Sequence, residues 1–107
     1  MRYLMMTNGS DTPPDDKLFA EMGAFIEELT ASGVLLATGG LDPAGVRVEA
    51  KGGEITVTDG PFAEAKESVG GFALVEVRSK EEAIELARRF RKIAGDGSGM
   101  MHQVFGP

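Results

Sequence analysis

Cysteine and tryptophan are both missing from this sequence, and histidine occurs once. The lack of cysteine excludes disulfides, thiolate nucleophiles, iron–sulfur clusters and cysteine-based zinc sites in one step. A single histidine and no spaced carboxylate cluster leave no pattern for another metal site. No run of about 18 apolar residues occurs, so no membrane-spanning helix is predicted. The apolar stretch Met1–Met6 is too short for a secretory leader and lacks a small-residue cleavage pattern. Together these absences predict a cytoplasmic protein. Positive charge is scarce as well: 11 Lys and Arg stand against 17 Asp and Glu, a net charge of -6. That balance repels phosphate backbones, so nucleic acid is not an expected partner, and the surplus serves solubility.

What is present fits one globular unit. The 107 residues are 42% hydrophobic and 26% charged, which suits a single domain spanning residues 1–107 with one core. Arg2–Thr7 reads as a central strand, with Tyr3, Leu4, Met5 and Met6 apolar on both faces. Leu18, Phe19, Met22, Phe25, Ile26 and Leu29 repeat at helical spacing. Asp11 or Thr12 is the expected cap of that helix, Pro13 or Pro14 its first turn, and Gly33 its stop. Val34–Thr38 is a second apolar strand. Val46, Val48 and Ala50 alternate with Arg47 and Glu49, then Gly52-Gly53 turns the chain into Ile55–Thr58, a hairpin expected at a sheet edge. Phe72–Arg78 is a strong strand. Ser79-Lys80-Glu81-Glu82 is a capping box for a helix with Ala83, Leu86, Ala87, Phe90 and Ala94 on one face. Met100–Phe105 closes the chain as a last strand.

The order is β-α-β-(ββ)-β-α-β. Without the inserted β-hairpin it is the split βαβ arrangement of a ferredoxin-like α+β sandwich. Helices in that topology cover one sheet face, yet the central strands are apolar on both. The second face needs a cover, and in so short a chain a second copy is expected to supply it, giving a homodimer.

One string carries more information than the pattern. Thr58-Asp59-Gly60-Pro61-Phe62-Ala63-Glu64-Ala65-Lys66-Glu67, followed by Gly70-Gly71-Phe72, resembles the signature of DGPF-domain proteins within the YCII-related (YciI-like) family. The resemblance extends over nearly the whole chain. It implies a ferredoxin-like fold that forms a dimeric α+β barrel. Acid–base chemistry by a His–Asp arrangement in a cleft is associated with the wider family. This chain departs from that pattern, because its only histidine, His102, lies in the last strand, at a position where DGPF relatives often carry arginine. A link to alternative sigma factors of the extracytoplasmic-function type is a second implication of the resemblance.

The candidate chemistry centres on the same string. Asp59 follows a strand, Gly60-Pro61 bends the chain, and Glu64, Lys66 and Glu67 come within one short segment. Carboxylates beside an amine shift one another's proton affinity and can transfer protons. The same residues also suit a structural turn, with Phe62 anchored in the core and Lys66 paired to a carboxylate. Asp59, Glu64 and His102 are the candidate acid–base groups. Lys66, Glu67, Phe62, Gly70 and Gly71 are the candidate ligand contacts, the glycine pair because it permits close approach. His102 shares a strand face with Met100 and Val104, which equally suits a packed side chain. The run Arg88-Arg89-Phe90-Arg91-Lys92 reads as a solvated helix end or an anion contact, and the methionine pairs as core filling. Two functions follow. One is a cofactor-free cleft that binds a small organic molecule, with or without acid–base chemistry. The other is a non-enzymatic accessory protein linked to extracytoplasmic-function sigma factors.

Overall fold

A computed structural model describes residues 1–8, 15–42, 44–60 and 69–106. The elements run β1 (Arg2–Asn8), α1 (Asp16–Ala31), β2 (Leu35–Gly40), β3 (Val46–Lys51), β4 (Glu54–Asp59), β5 (Val69–Glu76), α2 (Lys80–Ala94) and β6 (Gly99–Val104). This is an α+β fold with the element order that the sequence predicts. The main sheet is antiparallel between all neighbours, in the order β2-β5-β1-β6. Each βαβ unit is therefore split by a strand of the other: β5 lies between β1 and β2, and β1 lies between β5 and β6.

Local chemistry sets the helix ends. Asp15 is the N-cap of α1, and its carboxylate accepts from the Leu18 backbone N–H at 2.8 Å. The helix thus begins at Asp16, later than the expected cap at Asp11 or Thr12, because a carboxylate three residues ahead of Leu18 closes the first turn there. Pro13 and Pro14 lie outside the described residues. At the other end the Val34 N–H reaches the Leu29 carbonyl at 3.0 Å and the Gly33 N–H reaches that of Thr30 at 3.2 Å, a Schellman motif. Gly33 provides the left-handed residue it requires, at φ +79°. At the start of α2 the Ser79 hydroxyl accepts from Glu82 N–H at 3.1 Å, and the Glu82 carboxylate accepts from Arg78 N–H at 3.2 Å. The box forms, with the return bond one residue further back than the usual pattern.

The core sits between the helices and one sheet face. Tyr3 and Val75 of the strands, with Val77 just past β5, meet Phe25 and Leu29 of α1 and Ala83 and Leu86 of α2. Each large side chain buried here contributes about 1.5–3 kcal/mol. The helices are tied to each other by Arg89, whose guanidinium lies 2.8 Å from the Glu28 carboxylate and 4.8 Å from the centre of the Phe25 ring. That bond holds the Glu28 carboxyl below its ordinary range, chiefly through the hydrogen bond and then through Arg89's charge.

The hairpin differs from its expected place at a sheet edge. β3 and β4 form a sheet of their own, joined by Gly52-Gly53 at φ +58° and +83°. Val48 faces Val57 and Ala50 faces Ile55 on one side of it. Val46, Val48, Ile55 and Val57 are all at least 59% exposed. The radius of gyration, 16.0 Å, exceeds the about 13 Å of a compact chain of this length. The expectation of an edge strand rested on one polar face. Among the described residues, the apolar face of the hairpin does not join the core.

Candidate functional site

The sheet face under the helices loses side-chain volume from one end to the other. Strand pairing sets three rows across it. The first is Leu35–Val75–Tyr3–Gln103, the second Thr38–Ala73–Met5–Met101, and the third Gly40–Gly71–Thr7–Gly99. In the third row, three of four strands contribute only backbone. The helices still span the space above, so a gap opens between them and the sheet where the side chains run out.

That gap is a cavity of about 400 Å³, within the size range of small-molecule sites. Its wall on the helix side is Met22, Phe25 and Leu29 of α1 with Leu86 and Phe90 of α2, and its floor is Met5 and the glycine row. The polar side chains among its described lining are Thr7, Thr38 and Arg91. Thr38 is already committed, its hydroxyl donating to the Phe72 carbonyl at 2.9 Å. Arg91 donates from Nη2 to the Thr7 hydroxyl at 2.7 Å, and its guanidinium lies 4.7 Å from the Phe90 ring centre.

Glycine is needed in this floor to different degrees. A Cβ on Gly99 would stand 2.5 Å from the Met6 carbonyl oxygen, closer than the backbone permits. One on Gly71 would meet the Gly39 carbonyl oxygen at 3.1 Å. One on Gly40 would find nothing nearer than 3.8 Å and would point into the cavity.

The candidate residues named from the sequence are distributed over separate places. Gly70 and Gly71 line the cavity. Asp59 ends β4 opposite Val46, on the exposed hairpin. His102 pairs with Leu4 on the sheet face away from the helices and is exposed. Neither Asp59 nor His102 lines the cavity. Phe62, Glu64, Lys66 and Glu67 lie outside the described residues. The described lining holds no carboxylate and no imidazole. Among the described residues no three His, Cys, Asp or Glu side chains are grouped to hold a metal ion, and no helix is long and apolar enough to cross a membrane.

Thr7, Gly40 and Gly99 were not candidates from sequence. The available signal was glycine at strand ends, which weakens a strand unless something must come close. Arg91 was visible only as one member of a basic run.

The family model of the YCII-related domain matches residues 1–104. The chain belongs to the YCII-related family. An uncharacterised protein of Rhizobium meliloti (strain 1021) is 32% identical over 85 residues, covering 78% of this chain and 68% of that protein. Among solved structures, this YCII-related domain is similar to the 5-chloro-2-hydroxyhydroquinone dehydrochlorinase of Burkholderia phenoliruptrix AC1100, in complex with 2,5-dihydroxybenzoquinone. The identity is 16% and the TM-score 0.53, with 100% of this chain and 96% of the other covered. At that identity the likeness is one of fold.

Proposed function

We propose that this YCII-related domain is a cytoplasmic small-molecule-binding protein. Its site is the cavity between helices and sheet, and its working form is a homodimer of ferredoxin-like protomers closed into an α+β barrel. The observation that carries the binding site is the third strand row, Gly40–Gly71–Thr7–Gly99. Gly71 and Gly99 are held by close backbone approach, but Gly40 has room for a side chain that the core could use and lacks one beneath an apolar wall. A protein selected for stability alone has no reason to leave such a gap unfilled. The solved relative, whose fold is similar, carries a small hydroxylated quinone, so the architecture accommodates a molecule of that size. The described lining supplies contact surface, two hydroxyls and a guanidinium, which supports binding rather than proton transfer by these residues.

The dimer is supported by two apolar surfaces that the described residues leave exposed or only half-buried. One is the Val46, Val48, Ile55 and Val57 face of the hairpin. The other is the sheet face that bears Leu4, Met6, Leu74 and Met100. A lone two-stranded hairpin is marginal in water, and a second copy is the cover that a symmetric assembly provides.

The binding site is tested with the neutral probe 2-naphthamide, followed by calorimetry on the parent and on Gly40→Val. Valine at this position extends into the cavity from a strand that favours a β-branched residue. The parent is expected to bind, and the variant to lose the probe while keeping a thermal midpoint at or above the parent's. Equal binding by both proteins, or no binding by the parent up to the probe's solubility limit, would overturn the assignment.

A further inference from the structure

We infer that the cavity selects apolar molecules carrying one carboxylate, and that Arg91 is the residue that reads the charge. This deepens the binding role proposed above and rests on it. The argument begins with how Arg91 is held. Its Nη2 donates to Thr7 Oγ1 at 2.7 Å, and the Thr7 hydroxyl in turn donates to the Asn8 carbonyl at 3.2 Å. The Phe90 ring stands 4.7 Å from the guanidinium carbon. Gly97, at φ +151°, lets the guanidinium settle against the backbone, for a Cβ there would run into Nη1. Three neighbours from three segments thus fix a long side chain that would otherwise be mobile.

What is fixed is a charge that no carboxylate among the described residues pairs. Arg89, two residues earlier, has Glu28 at 2.8 Å, and Arg2 has Glu76 at 3.3 Å. Arg91 is half-buried and lines the cavity, and the one hydrogen bond of its guanidinium among the described residues goes to a neutral hydroxyl. A guanidinium has five N–H donors in a planar fork, so most remain open to a ligand. Partial removal from water raises the cost of leaving such a cation unpaired, and a planar carboxylate fits the fork with two parallel bonds. The rest of the molecule works against an anion, since the net charge is -6. Preference for an anionic ligand must therefore come from a local cation at the cavity, and among the described lining residues Arg91 is the one that carries a charge.

The test compares two probes of matched shape, 2-naphthoate and 2-naphthamide, by calorimetry at low ionic strength. The parent is expected to prefer the naphthoate by about tenfold or more, the size of one charge-assisted pair, with the preference shrinking as salt is added. Arg91→Met should abolish the preference while leaving naphthamide affinity within about twofold, the methionine replacing most of the aliphatic stem. Thr7→Val, which removes the hydroxyl that positions Arg91, should reduce the preference and keep part of it. If Arg91→Met fails to fold, Arg91→Lys serves instead: it keeps the charge without the fork, and the preference should fall several-fold. Equal affinity of the parent for both probes would overturn the charge selection and leave the binding site standing. Preference retained in full in the Arg91 variants would overturn the role of Arg91. No binding of either probe would overturn both readings together.

Discussion

Gly40 and Gly99 lie in one strand row, yet alanine is expected to act on them with opposite sign. At Gly99 the new Cβ would stand 2.5 Å from the Met6 carbonyl oxygen and 3.4 Å from Thr7 Cα. Both are backbone atoms of β1, so no side chain can rotate away. Restoring ordinary contact requires moving β6 from β1, at the pairs Thr7–Gly99 and Met6–Met100. Overpacking of this kind costs about 1–3 kcal/mol. At Gly40 the nearest atom to a Cβ is the Gly70 carbonyl oxygen at 3.8 Å, an ordinary contact, and the residue is not at positive φ. Replacing glycine within a strand there should gain about 0.5–1 kcal/mol, because the unfolded chain loses freedom. Urea unfolding at one fixed protein concentration reads both effects. With a slope of about 1–3 kcal/mol/M, Gly99→Ala should lower the midpoint by about 1 M and Gly40→Ala should raise it by a few tenths. A midpoint for Gly99→Ala at or above the parent's, or a clear loss for Gly40→Ala, would show that the row is not built as described.

The remaining expectations concern the charged tie between the helices and the exposed hairpin. Glu28 has its proton affinity lowered by the Arg89 hydrogen bond. A carboxyl depressed on folding adds stability above its unfolded range, and that stability is lost as pH falls through the folded range. Glu28→Gln should therefore be less stable than the parent near neutrality and equal to it in acid; a gap independent of pH would refute the pairing. For the dimer, sedimentation should show two copies of the parent chain and one of Val48→Asp, which places a charge on the exposed apolar hairpin face. A parent that sediments as a monomer at micromolar concentration removes that part of the proposal.

Features that depend on a few neighbouring residues were legible in the sequence. The Gly33 stop, the Ser79 cap and the Gly52-Gly53 turn each involve contacts within about six residues, and each stands where local chemistry puts it. The start of α1 was harder because Asp11, Thr12, Asp15 and Asp16 all suit a cap, and only the position of the Leu18 amide decides among them. The hairpin's separation from the main sheet was not legible, since one apolar face looks the same whether it meets its own core or another chain. The cavity was least legible of all. Gly40, Gly71 and Gly99 are spread over sixty residues and become one row only through the order β2-β5-β1-β6. Thr7 and Arg91 are likewise 84 positions apart, and nothing local to either announces the other.

The central position of β1 has a consequence for how the chain comes into being. β1 is made before the other strands of its sheet, and both of its neighbours come late: β5 at Val69–Glu76 and β6 at Gly99–Val104. Translation at about 5–20 residues per second separates the completion of β1 from that of β6 by about 5–20 s. Until β5 is complete, about 3–14 s of that interval, an apolar strand has neither of its hydrogen-bonding partners, while α1 and the β3–β4 hairpin, which need only local contacts, are free to form. Folding of the sheet is thus expected to wait for β6. A chain stalled before residue 99 would present β1 with one edge unpaired, the kind of surface that chaperones and aggregates both recognise.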